Sequence, residues 1–195
     1  MCHIIFHDNR IKWAVESGMS FVGRRAPFRI YELAYQLKRC GYLQDNPLIT
    51  NAEAVVNRQI NISWSSFGMD AYVITHSVFY MTDSGTQMIT DRHLRKSIRL
   101  LLIAIIANNY LEENIDILAE AILGLCFIQP DKVEMSFIDS AIEYILSKQN
   151  LDGSFYGPKS NELRNLSEFE KKYHTTLVVL GVLNAYKRKE YSSNY

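Results

Sequence analysis

Apolar residues recur along this chain with the three-and-four spacing of α-helices, and no stretch alternates convincingly with the period of two expected of a half-buried strand. A first amphipathic helix is predicted from about Asn9 to Met19. Pro27 sits where a first-turn proline belongs, and Phe28, Ile30, Tyr31, Leu33, Ala34 and Leu37 hold helical register until Gly41. From Asn51 to Ser63 the signals conflict. Ala52, Val55, Val56 and Ile60 suit a helix, whereas Asn57, Asn61 and the stretch from Ser63 to Gly68 suit a loop. Beyond Gly68 the pattern sharpens. Asp70 caps a helix carrying Tyr72, Val73, His76, Phe79, Tyr80 and Asp83, ended by Ser84-Gly85. Thr90-Asp91 opens a long helix to about Asn109, and Glu112-Glu113-Asn114 leads into another from Ile115 to Phe127. After Gln129-Pro130 a helix spans Asp131 to Ser147, and Gly157 to Leu166 reads as an exposed loop. Ser167-x-x-Glu170 forms a capping box for the last helix, which runs to about Arg188.

Short links between long helices force antiparallel neighbours, so the helices opening near Asp70 and Ser167 present their N-terminal ends on the same side. The expectation is an all-α chain of antiparallel helical hairpins: one domain over residues 1–195, with 1–8 and 190–195 frayed. At 195 residues and 48 % hydrophobic content, that domain can bury a substantial core. Twenty-one basic residues balance twenty-one acidic ones, which gives no global attraction for nucleic acid. The three cysteines, Cys2, Cys40 and Cys126, are far apart and form no CxxC pair. A cysteine-rich zinc module is thereby excluded, and a reducing cytoplasm suits the pattern. The N-terminus lacks a signal-peptide pattern, and the most apolar run, Leu100 to Ala107, is too short to span a bilayer.

The helix after Asp70 carries unusual chemistry. His76, Tyr80 and Asp83 share one face at i, i+4 and i+7, with Phe79 beside them, on a helix whose other positions are also apolar. Burying such groups costs several kcal/mol (about 2 or more each) unless they find partners, so the stripe is either a site or a satisfied core network. A second head of similar composition lies 98 residues on: Ile74-Thr75-His76-Ser77 compares with Tyr173-His174-Thr175-Thr176. Candidate catalytic residues are therefore His76, His174, Asp83 and Tyr80, with Tyr72, Thr75, Phe79, Tyr173 and Thr175 as substrate contacts. Two imidazoles and a carboxylate suit zinc or non-haem iron. His76 and Asp83 lie roughly 10 Å apart along the axis, however, so either His76 with His174, or Asp83 with another group, is more realistic than all three on one ion. A metal-free acid–base pair of the two histidines is equally compatible with the pattern. His93 reads as first-turn surface.

The block Gln149-x-x-Asp152-Gly153-x-Phe155, followed by Tyr173-His174-Thr175, resembles the helical hairpins of the α/α toroids, namely terpene cyclases and protein prenyltransferase β subunits. The resemblance covers about Phe137 to Arg188 and implies a part toroid or short helical solenoid. It implies a structural turn at Asp152, and at His174 the place where the prenyltransferases hold zinc. The Asp-x-Cys pair that completes that zinc site is absent, since Lys38 and Gly124 stand two residues before Cys40 and Cys126. The acid motifs of the cyclases are absent too. The Thr75-His76-x-x-Phe79-Tyr80-x-Thr82-Asp83 pattern is also similar to one in a group of bacterial proteins.

The reading that follows is a small cytoplasmic enzyme of a specialised bacterial pathway, modifying a natural product or peptide. Its polar His/Tyr/Asp pocket would lie at inner-helix N-termini, acting by acid–base or metal-assisted chemistry on an apolar or peptide substrate. Twelve tyrosines and nine phenylalanines would supply aromatic walls. The rival is a non-catalytic helical binding or assembly module, with the histidines in the core. In either case a homodimer could cover the apolar edges of a half-sized toroid.

Overall fold

The computed structural model describes residues 13, 26–41, 47–66, 70–128, 132–157 and 166–192. Seven helices cover most of them: α1 (Pro27–Arg39), α2 (Pro47–Ser66), α3 (Ala71–Met81), α4 (Arg92–Leu111), α5 (Ile115–Phe127), α6 (Lys132–Ser147) and α7 (Glu168–Ser192). No strand occurs among the described residues, so the chain is all-α. None of the helices described is long and apolar enough to cross a membrane. The helix expected over Asn9 to Met19 lies outside the described residues apart from Trp13, which is helical and exposed. The Gly157–Leu166 loop lies outside them too, except at its two ends.

The chain divides into two compact units, Met1–Gln59 and Ile60–Tyr195. In the first, Pro27 opens α1, and Phe28, Tyr31 and Ala34 are buried along one stripe. Lys38 and Arg39 complement the helix dipole in the last turn, and Gly41 follows at φ +79°. Burial, reinforced by the negative charge of Glu53 on α2, raises the Tyr31 phenol well above its ordinary range. Along α2 the helical signal wins over the loop signal: the helix runs unbroken to Ser66, through Asn57 and Asn61. Ala52, Val56 and Ile60 are buried at i, i+4 and i+8, an apolar stripe that outweighs the weak propensity of asparagine and serine.

The second unit is organised around α5, which packs against α3, α4, α6 and α7. Its sequence explains that place. Ile115, Leu118, Ala119, Ala121, Ile122, Gly124, Leu125 and Cys126 are all buried, so apolar groups face several neighbours at once. Capping sets the ends of the surrounding helices. Asp70 Oδ1 accepts from the Tyr72 N–H (2.9 Å), and Asp91 Oδ1 accepts from His93 and Leu94. The Ser167–Glu170 capping box is reciprocal: Ser167 N donates to Glu170 Oε2 (2.8 Å), and Glu170 N donates to Ser167 Oγ (3.3 Å). At the start of α5, Glu113 adopts φ +57° and Asn114 caps, which reverses the chain after α4. Replacing Asp91 by alanine should cost about 1 kcal/mol, read in a thermal melt as a fall of roughly 2–4 °C. An unchanged melting temperature would mean that this cap contributes nothing.

The Gln149–Phe155 segment is a hydrogen-bonded turn that fastens the end of α6 to α7. Gln149 Nε2 donates to the Gly153 carbonyl (2.9 Å), and Gly153 itself has φ +83°. Asp152 Oδ1 accepts from the Ser154 N–H and hydroxyl, while Lys172 Nζ reaches Asp152 Oδ2 (3.3 Å). These bonds hold the Asp152 carboxyl down at about 2, with Ser154 the main cause. Phe155 is buried, and its N–H donates to Thr176 Oγ1 (3.0 Å). Asp152 therefore performs turn chemistry.

Candidate functional site

Polar groups from three helices meet in the interior of the second unit. Asp116 stands in the first turn of α5 and Glu120 one turn later, so the helix itself puts both carboxylates on one face. Helix α3 brings Thr75 and His76; helix α7 brings His174 and Thr175. Each flanking helix thus serves one carboxylate with an adjacent threonine and histidine. Thr75 Oγ1 donates to Glu120 Oε2 (2.6 Å), and His76 Nδ1 lies 3.4 Å from the same oxygen. Thr175 Oγ1 donates to Asp116 Oδ1 (2.5 Å), with His174 Nδ1 3.0 Å from that atom. On its other side His174 turns Nε2 toward Glu120 Oε1 across 3.8 Å.

Access differs sharply among these groups. The Glu120 side chain is 1 % exposed and that of His76 14 %, whereas the His174 imidazole is 47 % exposed and connects the cluster to solvent. Burial drives the Glu120 carboxyl up to about 7, opposed by the Thr75 hydrogen bond, reinforced by the Asp116 charge and opposed by His174. Burial also pushes Asp116 upward, but hydrogen bonds from His174 and Thr175 outweigh it and hold this carboxyl below its ordinary value. The Asp116 hydrogen bond raises the His174 imidazole, with burial opposing and the charges of Asp116 and Glu120 adding to the rise. Two carboxylates a turn apart are thereby driven in opposite directions.

Local hydrogen bonding accommodates both forms of Glu120. When it is ionised, Thr75 donates to it. When it is neutral, its proton can go to Thr75 Oγ1, whose own hydrogen then turns to the Tyr72 carbonyl at 3.1 Å. Oxygens around His76 Nδ1, including the Tyr72 carbonyl at 3.1 Å, favour the tautomer that carries hydrogen there.

The residues singled out from the sequence fall into distinct places. His76 and His174, drawn from helix heads 98 residues apart, both reach Glu120, on opposite oxygens. Tyr72 stacks on the His76 ring with centroids 3.8 Å apart, and the Tyr80 ring meets it edge-on at 6.2 Å. Phe79 lies 5.6 Å from the His76 ring and meets Phe127 of α5 edge-on at 5.7 Å. Tyr173 is stacked on Phe169 at the surface and turns an edge toward His174. Asp83 lies beyond the end of α3, in a turn at φ +44°, where its Oδ2 accepts from Thr86 Oγ1. His93 occupies an exposed first-turn position, as its place in the pattern implied. Sequence reasoning missed Asp116 and Glu120. The signal was present: they are the only acidic residues in the otherwise apolar Ile115–Phe127 helix.

No curated protein and no solved structure significantly matches the chain. A family model described as a domain of unknown function, DUF6895, matches residues 6–183. That match spans nearly the whole chain, helices and polar cluster alike, and the protein belongs to the DUF6895 family.

Proposed function

We propose that the chain is a small cytoplasmic enzyme whose chemistry runs at the α3–α5–α7 cluster, with His174 exchanging a proton with the substrate. The observation that carries this reading is the Asp116–His174 pair: Nδ1 and Oδ1 are 3.0 Å apart, on an imidazole that is 47 % exposed. A partly buried carboxylate at Nδ1 fixes the tautomer and steadies the imidazolium, which leaves Nε2 for acid–base work. Behind it, Glu120 and His76 extend the polar path into the interior. Tyr173 and Phe169 line the approach to His174 and suit an apolar or peptide substrate. The hairpins themselves fit a part α/α toroid or short solenoid.

The test is a mass-spectrometric screen of apolar and peptide metabolites incubated with the protein. Any turnover found should fall by about 100-fold or more in both His174→Ala and Asp116→Asn, with melting temperatures near that of the parent. Turnover indifferent to both substitutions would exclude His174 as the proton-transfer group.

A second reading, a non-catalytic binding or assembly module, rests on a specific feature of α7. Phe169, Tyr173, Leu177 and Leu180 recur at helical spacing and are 73 %, 44 %, 63 % and 55 % exposed. Such a stripe marks interaction surfaces and could join two copies. Light scattering on Leu177→Asp/Leu180→Asp protein checks this: a dimer that dissociates supports it, and a parent that is already monomeric removes the homodimer.

A further inference from the structure

We propose that Asp116, Glu120 and His174 hold a divalent transition-metal ion, zinc being the occupant their chemistry fits, with the remaining coordination positions open to solvent and substrate. The proposal rests on the reading that this cluster is the functional site, and puts metal-assisted chemistry in place of proton transfer by His174, because an imidazole that ligates an ion cannot also cycle through imidazolium. Its basis is geometric. One potential ligand atom from each of the three residues lies within 4.8 Å of the others. Two bonds of about 2.1 Å to a common zinc ion separate their ligand atoms by roughly 3.0–3.4 Å at ordinary coordination angles. His174 Nδ1 and Asp116 Oδ1 already stand 3.0 Å apart; since one imidazole gives a single ion only one nitrogen, Glu120 would complete the set by turning its carboxylate toward that pair.

Charge points the same way. Among the described residues, neither Asp116 nor Glu120 pairs with a lysine or arginine; their partners are threonine hydroxyls and imidazoles. Two carboxylates one turn apart on an apolar helix can both ionise if a dication lies between them. One nitrogen and two oxygens suit zinc, manganese or ferrous iron better than a cysteine-type site would. Three protein ligands with solvent on one side match a catalytic rather than a closed structural centre. The half-exposed His174 provides that open side. The second layer is also in place. Thr75 and His76 approach Glu120 Oε2, leaving Oε1 directed at His174, and Thr175 approaches Asp116. His76 is accordingly a positioning residue, orienting Glu120.

The experiment uses the full chain stripped with chelator, titrated calorimetrically with Zn²⁺ and spectroscopically with Co²⁺ as a visible substitute. We expect one equivalent to bind with a dissociation constant below about 10 µM, and the Co²⁺ band to indicate four- or five-fold coordination. Glu120→Gln and His174→Gln should each weaken binding by about 100-fold or more and His76→Ala by about tenfold, while the surface control His93→Ala should leave it unchanged. Circular dichroism melts confirm that each variant is folded. No heat and no Co²⁺ band with the parent protein would overturn the proposal, as would equal affinity in Glu120→Gln and His174→Gln. Metal binding with turnover insensitive to His174 would remove the proton-transfer reading alone. Turnover that depends on His174 in protein that binds no metal would remove the ion alone.

Discussion

Metal-free protein should be more stable at pH 5 than at pH 8, and Glu120→Gln should remove most of that difference. The folded-state Glu120 carboxyl is raised from 4.5 to about 7, because burial penalises its ionised form. A group raised on folding contributes stability that is fully present below its unfolded value and lost as pH climbs through its folded one. For Glu120 that window runs from about 4.5 to about 7. At one pKa unit per ~1.4 kcal/mol the loss is on the order of 3 kcal/mol. His174 is also raised, so its contribution disappears in the same direction as pH rises. Asp116 is depressed, and its contribution is lost only on acidification below the ordinary carboxylate range. These groups and His76, from α3, α5 and α7, are the ionisable side chains that meet at Glu120. Urea unfolding of parent and Glu120→Gln across pH 4.5–8 measures the effect. Identical pH profiles for the two proteins would mean that Glu120 is ionised normally in the fold.

Gly85→Ala should lower stability by about 3 kcal/mol, a fall in melting temperature of roughly 6–12 °C. Two independent costs combine at this position. Gly85 has φ +85°, a left-handed conformation that costs a residue with a Cβ about 1–2 kcal/mol. A Cβ built there would also lie 2.4 Å from Cδ1 of Phe127, whose ring is held against Phe79. Relieving that clash would mean shifting an aromatic ring at the end of α5, an overpacking cost of about 1–3 kcal/mol. Gly41 is the internal comparison: φ is +79° but nothing lies within 4 Å of its added Cβ, so Gly41→Ala should cost only the conformational part. Equal losses at both glycines would refute the steric account.

The helices were legible wherever capping and apolar periodicity agreed, as at Asp70, Asp91 and Ser167. They were illegible where composition and burial disagreed. In α2, Asn57, Asn61, Ser63, Ser65 and Ser66 read as loop because propensity acts locally, while the buried stripe through Ala52, Val56 and Ile60 depends on tertiary partners. The candidate site divides along the same line. His76 and His174 stood out because their Thr-His heads resemble each other. Asp83 also stood out, sharing a face with His76 by helical geometry, but α3 ends at Met81 and the chain turns left-handed at Asp83 before that face can continue. Asp116 escaped notice because a carboxylate in the first turn of a helix is ordinary, and Glu120 because a single acidic residue one turn later reads as a solvated face. Only the packing of α5 among its neighbours reveals how enclosed Glu120 is.

The placement of both carboxylates on a single enclosed helix has a consequence for selectivity. Their spacing along α5 is set by the helical rise, about 6 Å for four residues, and cannot change without unwinding the most buried helix of the unit. His174 is carried by a separate helix, α7, tied to the preceding turn through Thr176 and Phe155. The distance between α5 and α7 is then the adjustable dimension of the site. Substitutions at that helix–helix contact, such as Gly181 where it faces Leu123, would alter which ionic radius or substrate atom the cluster accepts without touching any polar residue.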